Sequence, residues 1–254
     1  MKQMTATTAG ALIENLVSAI LWGTLPWDKI VKNDKYIYHD VEFILSAPAN
    51  DLDFSEVLWT KHRWARFFRE YLSKDELDAW ISSCSKGTPG ISELAERGYI
   101  FQQKSASPGH KLLGNCLLGM SFRGYPYPMI TMHSRSSNFF PVAYLDLSLG
   151  SLLAVEIGNR RKEFPVSLTW KITSLQIDFQ WLYSYYKTTW LRYHNKSDVK
   201  DPFVKKVLSL LTLKEKAMRS GEITKFSRKR EDRLFRKTIE NSDPTFFPSL
   251  EEIE

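Results

Sequence analysis

What the chain has little of limits it first. It has two cysteines in 254 residues, Cys84 and Cys116, too few for a disulfide framework and in keeping with a reducing compartment. The five histidines (His39, His62, His110, His133 and His194) are scattered without ligand spacing to a cysteine or a carboxylate pair, so no metal site is expected. No run approaches the roughly 18 uninterrupted apolar residues of a membrane-spanning helix. The N-terminus lacks the basic, apolar and cleavage regions of a secretion signal. These absences lead to the expectation of a cytoplasmic protein with no membrane partner. Internal repeats are lacking as well.

Against these stands enough apolar material for a sizeable core, 43% hydrophobic and 13% aromatic, which fits one large domain or a domain plus an appendage. The net charge of +6 is concentrated. Between Lys225 and Lys237 lie seven basic residues, opposed only by Glu231 and Asp232. Such a run can track nucleic-acid phosphates, although a solvated helix face explains it as well. The rest of the chain is close to neutral.

Residues 10–22 have the apolar spacing of a helix, ended by Gly23. Residues 36–46 read as a strand, 54–83 as a helical region rich in Trp and Phe, and 85–90 as a loop. Strands are expected over 98–103, 112–122 and 129–133, with a turn at Arg123–Gly124. A helix over 141–157 is followed by the cleanest alternation in the chain, Val166, Leu168, Trp170 and Ile172 against Ser167, Thr169, Lys171 and Thr173. An aromatic helix from Ile177 to Tyr193 comes next, then a break at Asp201–Pro202 and one or two helices over 203–240. The last fourteen residues, with Pro244 and Pro248, look irregular. Mixed strands and helices around a strand–helix–strand core define an α/β or α+β class.

Three places could carry chemistry. Cys116 stands among small and apolar residues in Leu112–Gly119, where a buried core thiol is the plain alternative to a nucleophile. Arg135 is flanked by Ser134, Ser136 and Ser137, read as the end of a strand just before a helix. That setting suits an oxyanion, and equally a helix cap. Nineteen residues separate Cys116 from Arg135, enough for strand, hairpin and strand, which would set thiol and guanidinium on adjacent strands. Asp146, eleven residues further on, sits within an apolar helical pattern, where a carboxylate either meets a ligand or points to solvent.

In this order of residues the chain resembles the thymidylate synthase superfamily, and the phage deoxycytidylate hydroxymethylases more than the synthases proper. The likeness covers roughly residues 10–185 through short motifs: Glu56 three residues before Trp59, Cys116, Arg135–Ser136, Asp146, and the Trp-containing strand running into Ser174–Asp178. Even the opening helix ending Trp22–Gly23 is similar. The resemblance implies a mixed twisted sheet flanked by helices over residues 1–200, and the residues after it read as a basic helical extension over 201–254. It implies a homodimer in which Arg97, nineteen residues before Cys116, reaches the neighbouring subunit's phosphate. It assigns Cys116 as nucleophile and Glu56 as proton shuttle. Arg135 and Ser136 would hold a monophosphate and Asp146 would read the base. The cofactor implied is 5,10-methylenetetrahydrofolate. The chain departs from the family at Asn115–Cys116–Leu117, where the synthases have Pro–Cys–His, and at Asn138, where they have a folate-binding Asp. Gln176 and Asp178 stand where the family has its sugar-binding His and Tyr, and the family's closing tail is replaced by basic helices.

The implied reaction is transfer of a one-carbon unit to C5 of a pyrimidine nucleoside monophosphate. Thiolate addition at C6 makes C5 nucleophilic, and water or hydride capture then gives hydroxymethyl or methyl. Asp146 in place of the synthases' Asn points to a cytosine base. A descendant of the fold that binds nucleotide or nucleic acid without turnover is the competing reading, and an aromatic helix serving only as an oligomer interface is a third.

Overall fold

Alternation and helical spacing along this chain build the elements seen in a computed structural model, which describes residues 2–32, 34–49, 51, 74–85, 97–100, 117–124, 126–139 and 142–220. In chain order they are β1 (Lys2–Ala6), α1 (Ala9–Trp22), β2 (Ile30–Lys32), β3 (Lys35–Leu45), α2 (Lys74–Ser85), β4 (Arg97–Ile100), β5 (Leu117–Arg123), β6 (Met129–Asn138), α3 (Val142–Arg161), β7 (Ser167–Asp178), α4 (Phe179–Thr188) and α5 (Pro202–Arg219). Short 3₁₀ turns lie between α4 and α5, at Trp190–Arg192 and Lys196–Asp198. The strands form one mixed sheet in the order β1-β3-β7-β6-β5-β4, with β2 paired to β3. β1 runs parallel to β3 and β6 parallel to β7, whereas β4–β5 and β5–β6 are antiparallel. The protein is thus mixed α/β, an open mixed sheet flanked by helices.

Several boundaries differ from the sequence expectations. β6 continues five residues beyond 133, and β7 runs on to Asp178. The aromatic helix therefore begins at Phe179 and not at Ile177, because the Asp178 carboxylate caps it by accepting from the N–H groups of Gln180 and Trp181. It ends at Thr188, short of Tyr193. β1 and β2, too short for a periodic signal, were not expected. The helical region over 54–73, the loop after Ser85 and the basic helix beyond 220 lie outside the described residues.

The chain divides into two units, residues 1–16 with 39–176 and residues 17–38 with 177–254. In the first, α3 crosses over between the parallel pair β6 and β7, as a parallel connection requires. Its inner stripe includes Ala143, Leu147, Gly150, Ala154 and Ile157, all buried. Gly150 makes the closest approach: a Cβ there would lie 2.6 Å from Met132 Sδ and 2.7 Å from a Leu168 methyl. Trp170 anchors the same layer, tilted against Phe43 at 5.9 Å and donating from Nε1 to Ser134 Oγ at 2.8 Å.

In the second unit, Tyr36, Phe179 and Phe203 form an aromatic knot, with Tyr36 and Phe179 edge to face at 4.8 Å. Asp201 caps α5 through the N–H of Val204, and Pro202 occupies the first turn. The same carboxylate pairs with Lys29 at 3.2 Å, and the Lys29 ammonium stands over the Tyr36 ring. Burial first, and the Asp201 charge second, push the Tyr36 and Tyr38 hydroxyls far above their ordinary pKa. Trp190 stacks on His194 at 4.5 Å and donates to Ser18 Oγ at 3.2 Å.

The contact at Gly150 generates a test. Met132 and Leu168 are fully buried and have nowhere to retreat. Gly150→Ala is therefore expected to lower unfolding stability by about 1–3 kcal/mol despite alanine's better helix propensity. Urea denaturation of the two proteins measures the difference, and a stabilised variant would contradict this packing.

Candidate functional site

Four polar side chains gather at the carboxyl ends of β6 and β7. The parallel register sets Ser136 beside Ser174 and Asn138 beside Gln176, and all four are half-buried. Strand alternation puts them on the side of Met132 and Leu168, the side that α3 covers at Gly150. The Phe139 N–H donates to the Gln176 carbonyl at 2.7 Å and ties the two strand ends together. A crevice at the carboxyl ends of parallel strands is where open α/β sheets bind ligands.

Asp146 faces this layer. It lies one turn before Gly150 on the same stripe of α3 and is 2% exposed. Its Oδ2 is buried and has no hydrogen-bond partner among the described residues. Burial alone raises its pKa to about 8. At neutral pH the side chain is thus a carboxylic acid, able to donate one hydrogen bond and accept another. Ser137 Oγ and Ser151 Oγ are likewise buried and unpartnered among the described residues.

Arg135 is placed differently from the sequence expectation. It lies inside β6, three residues before the strand ends, so its serine neighbours continue a strand and do not cap a helix. Alternation turns it, with Thr131 and His133, to the face opposite Ser136 and Asn138. That face also carries Lys171, cross-strand neighbour of His133, which stands 4.0 Å from the buried carboxylate of Glu42. Gln3 Nε2 donates to the other oxygen of Glu42 at 2.9 Å. Arg135 is exposed. Strand phase thus turns Ser136, Asn138 and Gln176 to the side that α3, the helix carrying Asp146, covers at Gly150, and sets Arg135 on the other.

The remaining expected residues divide as follows. Cys116 and Glu56 lie outside the described residues. Cys116 immediately precedes Leu117, whose partner across the ladder is Ser134, the neighbour of Arg135. Arg97 opens β4 opposite Phe122, in the last strand of the sheet order. Asp178 belongs to the second unit, where its carboxylate caps α4. Among the described residues no cluster of three His, Cys, Asp or Glu side chains could hold a metal ion. No described helix is long and apolar enough to cross a membrane.

Ser174 and the buried Glu42 were missed by sequence reasoning. Ser174 was within reach: continuing the β7 alternation beyond Ile172 puts Ser174 and Gln176 in phase with Trp170. Glu42 carried no such signal, because its burial depends on which strands flank β3. No protein-family model matches the chain, and no curated protein is similar to it.

The proton on Asp146 has a measurable consequence. The carboxyl ordinarily ionises near 3.8 and here holds its proton to about 8. Between those values the folded chain binds a proton that the unfolded chain has released. Stability from this group is therefore full below about pH 4, falls as pH rises towards 8, and levels off above. Asp146→Asn removes the decline. It is expected to match the parent at pH 4 and exceed it by a few kcal/mol at pH 8.5, on the order set by a shift of several pKa units. Urea denaturation at both pH values checks this, and an equal difference at the two would show Asp146 to be ionised.

Proposed function

We propose that the chain binds a pyrimidine nucleoside monophosphate with the base edge against Asp146, and acts on C5 of that base as a one-carbon transferase. The observation that carries the reading is Asp146 itself, a buried neutral carboxyl with one unpartnered oxygen among the described residues, on the helix that covers the strand side carrying half-buried Ser136, Asn138, Ser174 and Gln176. A buried carboxyl oxygen without a partner costs stability unless a ligand satisfies it. Cytosine offers an acceptor at N3 and a donor at the 4-amino group, the complement of a carboxylic acid. Uracil is matched when the acid proton sits on the other oxygen, so the neutral acid suits either pyrimidine, and the preference for cytosine rests on the resemblance.

The proposed chemistry belongs to Cys116. Its thiolate forms the bond to C6, and C5 becomes the nucleophile towards an electrophilic one-carbon unit. Loss of the C5 proton would accompany departure of the carrier nitrogen from the transferred carbon; water or hydride would then add to that carbon, and expulsion of the thiolate restores the ring. A tetrahydrofolate-borne methylene would supply that carbon, and Asn138 is the one described residue in the place the resemblance gives to folate binding. Its amide can donate and accept. Glu56 would carry protons to and from the base. A homodimer completed by Arg97 belongs to the same proposal.

The placement of Arg135 favours a second reading, binding of nucleotide or nucleic acid without turnover. Exposed Arg135, His133 and Lys171 share one face of β6 and β7, turned away from Asp146. Phosphates on that face would be held independently of the base site.

Calorimetry and isotope release separate the readings. Cytidine monophosphate is expected to bind, and Asp146→Ala to weaken it roughly tenfold to a hundredfold, the scale of about 1–3 kcal/mol for an unmatched buried pair. Affinity should also fall as pH rises past about 8 and Asp146 ionises. Cys116→Ala should bind normally yet release no tritium from C5-labelled cytidine or deoxycytidine monophosphate. Arg135→Ala should leave monophosphate affinity within about twofold if its face is separate. Tritium release undiminished in Cys116→Ala, or Asp146→Ala binding like the parent, would overturn the proposal.

A further inference from the structure

A groove of about 690 Å³ opens beside α4 and α5 in the second unit. Leu191, Val199, Leu208 and Leu213 give it an apolar wall, and Leu213 is 61% exposed, far more than a leucine in a closed core. Lys196, Lys205 and Lys216 border it, and none has an acidic partner among the described residues. Glu215, its single acidic lining residue, is already engaged. Lys187 and Arg219 pair with it, and the Tyr183 hydroxyl donates to it at 2.7 Å. The Lys187 and Tyr183 hydrogen bonds, with both cations nearby, pull its pKa down to about 2. The groove therefore offers apolar surface inside an uncompensated positive border.

That combination selects its occupant. A purely apolar ligand leaves the lysines without counter-charge. Stacked nucleic-acid bases would need open aromatic faces, but Lys187 sits over the Tyr183 ring and Tyr186 is stacked on Trp190. The complement is an apolar segment carrying carboxylates. The chain contains one: residues 238–254 include Glu240, Asp243, Glu251, Glu252 and Glu254 without a single Lys, Arg or His. Within them Leu250 and Ile253 are interleaved with Glu251, Glu252 and Glu254, and Phe246 and Phe247 precede them. The preceding run, 225–237, has the same sign as the groove and is repelled by it.

We propose that Phe246–Glu254 docks into this groove within the same chain, with Leu250 and Ile253 on the leucine wall and Glu251 and Glu252 against Lys205 and Lys216. The tether permits it. Residues 220–245 separate the segment from Arg219, which itself lines the groove. At no more than about 3.3–3.6 Å per residue, a stretch of that length can span well beyond the length of α5, about 27 Å. Attachment also raises the local concentration to the order of millimolar, so even weak docking is populated.

Carbodiimide crosslinking of the full-length protein, mapped by mass spectrometry, tests this. The expected amide links join Glu251 or Glu252 to Lys205 or Lys216. In a mixture of isotopically labelled and unlabelled protein they should form within one chain. Leu250→Ser with Ile253→Ser should cut their yield roughly tenfold, as should raising salt to about 0.5 M, which screens the lysines. Three results would overturn the proposal: links no more frequent than those to Lys32 and Lys162 or none at all, links found only between chains, or a yield unchanged in the double variant. Links between chains alone would assign the groove to a second copy of this protein.

Discussion

The approach of α3 to the parallel strands β6 and β7 governs what the first unit can do. Gly150 has no side chain, so the helix backbone sits against Met132 and Leu168 at a distance that any Cβ would prevent. That closeness drags the rest of the stripe inward, including Asp146 one turn earlier. A carboxyl carried there loses its water and keeps its proton. The surrounding contacts, with Trp170 against Phe43 and Ser134, supply the apolar burial that offsets the cost.

In the second unit one carboxylate has a comparable reach. Asp201 caps α5, binds Lys29, and through its charge adds to the burial that keeps Tyr36 and Tyr38 protonated. A cap alone is worth about 1 kcal/mol. Here it also decides where α5 starts, and hence where Lys205, Leu208 and Lys216 stand along the groove. Glu215 is consumed locally by Lys187 and Arg219, which leaves the positive border uncancelled. The positive border of the groove is therefore shaped by one cap and one local ion-pair cluster.

The candidate site was partly legible before the structure. Asp146 stood out because an acid within an apolar helical pattern needs a reason, and the structure supplies one in its burial. Ser136, Asn138 and Gln176 were singled out from family order, and they do share a strand face. Arg135 shows the limit of that approach. Reading 133–138 as a strand end followed by a cap made its serines look like an anion cradle, whereas their continuation of β6 alternates them between two faces. Asp178 likewise looked like a sugar ligand and is spent on the first turn of α4. The difference is physical: a motif records which residues are close in sequence, but strand pleat decides which of them point the same way.

By itself the sequence determined the class and most of the elements, because these follow from local chemistry. Alternation marks β7, Gly23 closes α1 with a positive φ of 70°, and Asp201–Pro202 opens α5. It also determined the charge contrast between residues 225–237 and the acidic segment after them. Only the tertiary structure decided which face of β6 meets a helix, how deep Asp146 lies, that Glu42 is buried, and that β1 and β2 exist at all. Each depends on a neighbour distant in sequence. A five-residue strand such as β1 has no signal of its own until β3 is beside it, and a helical acid has no fixed pKa until the packing around it is set.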